Sequence, residues 1–249
     1  QGGRTLTFLL PRLHAAADRG VRVRILLDGL GSVRGVRGLG ALQGHRNVEI
    51  RVFNPFRFQD VPLVWGALEM LADGRRLNRR MHNKLWIADG SAAIVGGRNL
   101  SDEYFLSDAA VTFTDLDLIV VGKAVPELSA SFDEFWNSDM AVSAIVPVTD
   151  DPDPLSMRDQ AKDPRVAELA SSFRSAAIPL TFARVRVLAD HPSKVTPHEG
   201  EDRSTHIAPH LRDLIEEGTS SVLLVSPYFI PGKDGIAWLS TLTGRGLQV

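Results

Sequence analysis

Cysteine is absent from this chain of 249 residues, and its absence removes several kinds of chemistry. The chain can form no disulfide bond, no metal site built on thiolates and no covalent intermediate on a cysteine. The lack of cysteine does not identify a redox compartment, so the cellular location stays open at this point.

The sequence also lacks a long apolar run and an excess of charge of one sign. No stretch approaches the roughly 20 apolar residues of a membrane-spanning helix, and no basic segment precedes "QGGRTLTFLL" as in a signal peptide. Any anchor or signal is therefore expected outside this chain. The net charge of −2 and the pI near 6.4 give no overall positive field for nucleic acid. This balance permits a lipid or small-molecule substrate without selecting one.

Apolar periodicity predicts strands that alternate with helices. Apolar residues make up 44% of the chain, enough for one large domain or two modest ones. The predicted strands are 21–29, 47–55, 82–90, 92–97, 116–122 and 220–232, and the predicted helices are 9–20, 124–138 and 210–218. Asp89-Gly90 is typical of a hairpin turn between the third and fourth strands. The alternation indicates an α/β layered fold.

Composition predicts three parts along the chain. A first domain covers residues 1–146, and a segment rich in proline, aspartate and other polar residues follows at 147–205 as a linker with polar loops. Order returns at 206–249, where we expect the beginning of a second domain.

An internal repeat supports this division. "WLSTLTGRGLQV" (238–249) is similar to "RLHAAADRGVRV" (12–23), which stands 226 positions earlier. Both read as a helix, an Arg-Gly turn and the first residues of a strand. The repeat predicts a duplicated α/β unit whose second copy is truncated before its motif.

One motif stands out in "MHNKLWIADGSAAIVGGRN" (81–99). It has the pattern H-x-K-x4-D-x6-G-G-x-N, and its fixed residues are His82, Lys84, Asp89, Gly96, Gly97 and Asn99. Six fixed positions recur by chance with odds on the order of 10⁻⁶ to 10⁻⁵. On a strand, the side chains of His82 and Lys84 would point to the same face. The lysine would neutralise non-bridging phosphate oxygens while the histidine attacks phosphorus or protonates a leaving oxygen.

The end of the motif suits an anion as well. Gly96 and Gly97 would let the backbone approach a phosphate closely, and the amide of Asn99 can donate a hydrogen bond to it. We therefore predict that these residues take part in binding the phosphate.

These residues are the signature of the phospholipase D superfamily, which this sequence resembles. The run "LNRRMHNKLWIADGSAAIVGGRNLSDEYF" (77–105) and "FTDLDLIVVG" (113–122) are similar to the first half of bacterial cardiolipin synthases and related proteins. "SPYFIPG" is similar to the opening strand of the family's second half. The resemblance implies a mixed sheet flanked by helices. One departure is Gly97, where many members have serine and therefore a hydroxyl donor.

The resemblance also implies a mechanism. Two such motifs, from two halves or two subunits, meet at a pseudo-twofold axis, and no metal or other cofactor takes part. One histidine forms a covalent phosphohistidine, and the other protonates the departing alcohol and then activates the acceptor. An acidic residue on the later strand orients the histidine; by motif position this is Asp115, with Asp117 as the next choice. Asp89 belongs to the catalytic motif, with a role in the family that is more structural.

The surroundings of the motif favour a phospholipid. Five cations precede or enter the motif at 75–84, namely Arg75, Arg76, Arg79, Arg80 and Lys84. They form either a solvated face or a clamp for a phosphate headgroup, with Arg80 predicted to bind substrate. The large apolar residues just upstream are Phe53, Phe56, Phe58, Trp65 and Met70. They are expected in the core rather than at a membrane, although an apolar segment beside a basic one suits a lipid surface.

Two further features have simpler interpretations. His206 and His210 are four residues apart, but Pro209 and the missing third ligand favour the start of a helix over a metal site. "GLGSVRGVRGLG" (29–40) lacks the spacing of a nucleotide-binding loop and is interpreted as a turn near the site.

The sequence therefore predicts a phosphatidyltransferase that acts on phosphatidylglycerol or a similar lipid at the bacterial cell membrane. The enzyme would be peripheral, or anchored by a segment outside this chain. A phosphodiesterase or nuclease of the same superfamily, a non-catalytic half-site and a dimer that pairs two His82 side chains remain alternatives. We expect the isolated chain to be a monomer with little activity, because a second half or a second subunit must supply the partner histidine.

Overall fold

The computed structural model describes residues 4–29, 39–55, 80–105, 111–144, 164–175, 177–195, 206–225 and 230–249. Its helices are α1 (Arg4–Asp18), α2 (Leu39–Gln43), α3 (Asp102–Phe105), α4 (Ala124–Asn137), α5 (Pro164–Arg174), α6 (Ile207–Glu216) and α7 (Gly232–Gly244), with a 3₁₀ turn at Pro192–Val195. Its strands are β1 (Val23–Asp28), β2 (Val48–Phe53), β3 (Leu85–Ala88), β4 (Ala92–Gly96), β5 (Asp117–Val121) and β6 (Ala141–Ser143). The predicted α/β class is confirmed. No helix in the described ranges is both long and apolar enough to cross a bilayer.

The chain divides into two compact units, each built from separate segments. The first unit comprises Gln1–His82, Asn99–Phe113 and Phe135–Val185, and the second comprises Asn83–Arg98, Thr114–Glu134 and Arg186–Val249. The chain therefore passes from the first unit to the second between His82 and Asn83, inside the motif. The predicted boundaries at residues 146 and 205 stay a prediction.

The first unit contains a three-stranded mixed sheet in the order β1-β2-β6. β1 and β2 run parallel with Val23 opposite Val48, and β6 pairs antiparallel with β2. β2 ends at Phe53, two residues before the end of the predicted strand, and Asn54 after it adopts a left-handed backbone with φ of 49°. The core of this unit consists of Leu6, Leu10, Leu39, Leu42, Ile50, Val52 and Ala144. Phe53 is fully buried, as the core interpretation of that residue predicted, whereas 56–71 lie outside the described residues.

Helix α1 begins five residues before its predicted start because a distant side chain caps it. The carboxylate of Asp102 accepts hydrogen bonds from the amides of Arg4 and Thr5, at 3.0 and 2.8 Å. These are two of the amides that have no partner within a helix. Burial raises the pKa of Asp102, but the bonds from Thr5 and Arg4 outweigh it, so the pKa lies below its usual value.

We expect Asp102→Ala to lower the free energy of unfolding by about 1 kcal/mol at neutral pH, the usual cost of losing an N-cap. The pKa of Asp102 is lowered in the fold, so the stabilisation is present above the usual carboxyl pKa. It is lost as the pH falls through the lowered value. Urea unfolding at neutral and acidic pH measures both effects, with Asp139→Ala, a change of an exposed aspartate, as the control. A difference between wild type and Asp102→Ala that grows on acidification would contradict the assignment.

The second unit contains a three-stranded antiparallel sheet in the order β3-β4-β5. The predicted hairpin turn is confirmed: Asp89 and Gly90 have φ of 50° and 60°, and the amide of Ser91 donates to the carbonyl of Ala88 at 3.0 Å. One face of the sheet packs against α4. The buried and half-buried residues of this cluster are Leu85, Ile87, Ala93, Val95, Val120, Val125, Leu128 and Val187.

One predicted strand, in the last part of the second unit, needs correction. Residues 220–232 were expected to form a strand, but among the described residues there the pairing is a single parallel bridge between Ser221 and Gln248. Val222 and Leu224 still pack on the cluster of Ile215, Leu242 and Leu247 beneath α6 and α7, while the intervening Leu223 is 89% exposed. The alternation of a strand is present, but a strand also needs a neighbour along its whole length.

Two local predictions also needed correction or adjustment. The segment predicted as linker and polar loops contains α5, which begins with a proline at its first position, a favourable start for a helix. Leu169 and Phe173 stand one turn apart on this helix. The helix expected at 210–218 begins at Ile207, directly after His206. The predicted turn at 29–40 lies largely outside the described residues.

Candidate active site

The fixed residues of the motif are spread along the β3–β4 hairpin and the segments on either side of it. β3 begins at Leu85, so His82 and Lys84 precede the strand and the expectation that both lie on a strand of period two is wrong. The pairing weakens there: the amide of Gly96 is 3.5 Å from the carbonyl of Lys84. The side chain of His82 is exposed in the first unit, and that of Lys84 is half-buried in the second.

Asp89 lies at the turn of the hairpin, at the opposite end of β3 from Lys84. Its side chain is exposed and its backbone is left-handed, with φ of 50°. The four strand residues between them put the two positions five steps apart, a distance of roughly 17 Å at the usual rise per residue. Asp89 thus forms part of the hairpin turn, and its role in the motif stays a prediction. Asn99, on the far side of the motif, belongs to the first unit and is exposed.

Asp28 is a residue of the first unit that the motif does not contain. It ends β1, and its Oδ2 accepts hydrogen bonds from Nε and Nη2 of Arg80 at 2.9 and 2.6 Å. Its Oδ1 accepts from the amide of Met81 at 3.2 Å. Burial raises the pKa of Asp28, and the charge of Arg80, the Met81 amide and the charge of His82 only partly oppose it. Asp28 thus holds the chain immediately before His82 to the end of a core strand.

Arg80 was predicted to bind substrate, and the structure shows its guanidinium on Asp28. The side chains of Arg80 and Asp28 are 13% and 27% exposed, so this ion pair is largely shielded from water. The structure does not test whether Arg80 also contacts substrate. The other arginines of the basic run, at 75–79, lie outside the described residues.

We expect Asp28→Ala to lower the free energy of unfolding by about 3 kcal/mol, because it leaves the guanidinium of Arg80 shielded and without its carboxylate. The double variant Asp28→Ala/Arg80→Met should recover most of this loss, since it removes both charges and keeps the volume of the longer side chain. Urea unfolding at neutral pH measures both. A double variant less stable than Asp28→Ala would show that the pair is not the source of the effect.

The two glycines of the motif leave space for two carboxylates of the second unit. A Cβ atom on Gly96 would lie 2.6 Å from Cγ of Asp117 and 2.8 Å from its Cα. A Cβ atom on Gly97 would lie 2.6 Å from Oδ1 of Asp115 and 2.7 Å from its Cγ. Real side chains do not approach so closely, so any larger residue would displace these aspartates. The anions that come close to this backbone here are therefore the protein's own.

The two aspartates differ in their contacts with Arg98. Its Nη1 is 3.2 Å from Oδ2 of Asp117, so the carboxylate of Asp117 is paired. The Oδ1 of Asp115 accepts from the amide of Leu116 at 2.8 Å. Its Oδ2 is buried and has no hydrogen-bond partner within the described segments. The free acceptor is thus on Asp115, the first choice from the motif position, rather than on Asp117.

No group of three or more histidine, aspartate or glutamate side chains in the described ranges is placed to hold a metal ion. His206 lies directly before α6 and His210 is exposed within its first turn. This is the helix start that the sequence predicted for the pair. The residues that sequence reasoning missed are Asp28 and Arg98. The local signals for them were an acid that ends an apolar strand and a cation between the second glycine and the asparagine.

The α/β fold and the histidine-lysine motif define the class of the protein, a phospholipase D-like protein. A family model described as "Cardiolipin synthase, PLD-like domain" matches residues 5–136, more than half of the chain. The chain belongs to this family.

Named relatives agree with the family model. Cardiolipin synthase C of Escherichia coli (strain K12) is 33% identical over 262 residues, covering 97% of this chain and 53% of that protein. A cardiolipin synthase of Halalkalibacterium halodurans is 27% identical over 239 residues, covering 95% of this chain and 39% of that protein. A cardiolipin synthase of Staphylococcus aureus (strain Mu50) is 36% identical over 139 residues, covering 55% and 25%. The chain spans about half the length of the first of these relatives.

Proposed function

We propose that the full-length protein is a phosphatidyltransferase that makes cardiolipin from phosphatidylglycerol. The carrying observation is the free, buried Oδ2 of Asp115 beside Gly97, in a chain with the complete motif. A carboxylate oxygen of this kind accepts the N–H of an imidazole and holds its ring in one orientation. By motif position the imidazole is that of His82.

The proposed chemistry proceeds in two displacements at phosphorus. A nitrogen of one motif histidine attacks, a P–N bond forms, and the P–O bond to glycerol breaks as the partner histidine gives that oxygen a proton. The partner then takes the proton of a hydroxyl on a second phosphatidylglycerol. The new P–O bond forms as the P–N bond breaks, which yields cardiolipin and glycerol.

Each remaining motif residue has a proposed role in this scheme. The ammonium of Lys84 and the amide of Asn99 bind the non-bridging oxygens, where charge increases in the transition state. Gly96, Gly97 and Arg80 contribute to the surroundings of the phosphate, and Asp89 forms the hairpin turn. The motif does not distinguish whether His82 is the nucleophile or the general acid.

The partner histidine is proposed to come from a second copy of the unit, or failing that from a second subunit. The ends of α1 and α7 support duplication. The amides of Arg19, Gly20 and Val21 donate to the carbonyls of Ala16, Ala17 and Ala16. At positions 226 residues later, the amides of Arg245, Gly246 and Leu247 donate to those of Leu242, Thr243 and Leu242. Gly20 and Gly246 also share a left-handed backbone, with φ of 91° and 87°.

The lipid substrate is proposed from the names of the relatives and from the sequence, where the five cations at 75–84 follow the large apolar residues at 53–70. A protein that acts on phosphatidylglycerol works at a membrane surface, and we propose the bacterial cell membrane. Attachment would be peripheral or through a segment outside this chain.

The test supplies the full-length protein with phosphatidylglycerol vesicles and, separately, with single-stranded DNA. We expect cardiolipin and glycerol in equal amounts from the vesicles, and no nucleotide release. Cleavage of the DNA without cardiolipin formation would instead assign a nuclease. Binding of the vesicles without turnover would assign a non-catalytic anion-binding module. Sedimentation of the isolated chain checks the expected monomer.

A further inference from the structure

Arg98 is half-buried and makes two contacts with the segment Asp115–Asp117. Its Nη2 donates to the backbone carbonyl of Asp115 at 2.6 Å, and its Nη1 is 3.2 Å from the carboxylate of Asp117. Its Nε is buried without a partner within the described segments. The planar guanidinium therefore contacts two residues at the start of β5: Asp115, just before the strand, and Asp117, its first residue.

This segment needs to be held at both positions. Asp117 is the first residue of β5 and pairs with Gly96, the last residue of β4. Asp115 precedes the strand and has no ladder partner of its own in the described sheet, so β-pairing does not fix its backbone. The bond from Arg98 to the carbonyl of Asp115 supplies the missing constraint. The same side chain neutralises Asp117, which would otherwise be a second free carboxylate next to Asp115.

Substrate binding is the obvious alternative for a cation in this motif. The side chain of Arg98 is 31% exposed, but the two nitrogens with described partners both point to β5. A lysine has its donors on a single nitrogen and lacks the planar set of separate nitrogens with which Arg98 contacts both partners. The geometry thus favours a role in shaping the protein over a role in binding the phosphate.

We propose that Arg98 is a positioning residue: it fixes Asp115 by its main-chain carbonyl and pairs Asp117, so that Asp115 alone presents a free carboxylate oxygen to the imidazole. This assignment rests on the proposed function. Arg98 acts through Asp115 and contributes nothing to catalysis once that carboxylate is removed.

The test is a double-mutant cycle in the full-length protein with phosphatidylglycerol vesicles. We expect Arg98→Met to lower kcat by about tenfold to 10²-fold with KM within about twofold, because a displacement near 1 Å has this effect. Asp115→Asn should lower kcat on the order of 10²-fold or more. The double variant should match Asp115→Asn, since two residues that act as one unit are not additive. If Arg98→Met does not fold, Arg98→Lys takes its place, because lysine keeps the positive charge but lacks the planar set of guanidinium donors.

The control is Arg186→Met in the same unit. Arg186 pairs with Glu217 at 3.2 Å with both side chains 59% exposed, and we expect wild-type kcat. Additive losses in the double variant would overturn the proposal, and a raised KM with unchanged kcat would assign Arg98 to substrate binding. Failure of the proposed function is recognised separately, by a wild type that forms no cardiolipin or by full activity of Asp115→Asn.

Discussion

Replacing His82 with alanine in the full-length protein is expected to lower kcat for cardiolipin formation by on the order of 10³-fold or more. In the proposed mechanism the imidazole is required in either role: as nucleophile it would form the P–N bond, and as general acid it would protonate the departing glycerol. His82 is exposed in the structure. Initial rates with phosphatidylglycerol vesicles measure the effect.

The matched control for this change is His210→Ala. His210 is exposed on α6, outside the motif, and its removal should leave the rate within about twofold of wild type. A His82→Ala variant that keeps a tenth or more of the wild-type rate would exclude His82 from the reaction. Loss of activity in both variants would point to a general effect on the fold.

Adding a single methyl group at position 97 should also lower kcat strongly. In Gly97→Ala the new Cβ would lie 2.6 Å from Oδ1 and 2.7 Å from Cγ of Asp115, so the carboxylate must move. Displacement by about 1 Å is expected to lower kcat on the order of 10²-fold. The added volume should also lower the free energy of unfolding by about 1–3 kcal/mol. The rate assay and urea unfolding measure the two effects separately.

Gly44→Ala is the control for this change. Gly44 has open space around it and does not adopt a left-handed backbone, so both the rate and the stability should stay near wild type. Wild-type kcat in Gly97→Ala would mean that the position of Asp115 does not matter for the reaction. Double replacement of Gly97→Ala and Asp115→Asn should be no worse in rate than Asp115→Asn alone, because both act on the same carboxylate.

Sequence reasoning predicted those parts of the fold that local patterns determine. β1 and β2 are short apolar strands that lie within their predicted ranges, and the left-handed Asn54 follows the end of the second. The Asp89-Gly90 pair predicted its hairpin because few other residues accept two successive left-handed conformations. α4 followed from an apolar stripe that is buried at Leu128, Phe135 and Trp136.

The parts that were predicted wrongly depend on residues far along the chain. α1 extends to Arg4 because Asp102, about 100 positions later, caps it. β3 begins only at Leu85 because β4 supplies ladder partners from that point onward. The apolar alternation after Ser220 is real, but its described pairing is one bridge to Gln248. Periodicity predicts which side of a segment is buried and does not supply the neighbouring strand.

In the candidate site, too, local sequence predicted some features, and contacts between distant residues determined the others. The motif lies within 18 consecutive residues and could be identified from the sequence. The preference for Asp115 over Asp117 came from the resemblance and stays a prediction. The contacts of Asp28 and Arg98 could not be predicted from the sequence, because they join residues far apart along the chain. Asp28 contacts Arg80 from 52 positions away, and Arg98 contacts residues 17 and 19 positions later. The glycines were expected to approach a substrate anion, and in the structure the space next to them holds the side chains of Asp115 and Asp117, the two residues that Arg98 contacts.

The most direct measurement is covalent labelling of the full-length protein with phosphatidylglycerol that carries a labelled phosphate, quenched during turnover and analysed by peptide mass spectrometry. We predict an acid-labile phosphatidyl group on a motif histidine of the wild type. His82→Ala should carry no such group if His82 is the nucleophile, and should be labelled much more slowly, on the partner histidine, if His82 is the general acid. Turnover of wild type without any labelled histidine, or unchanged labelling and rate in His82→Ala, would contradict the account.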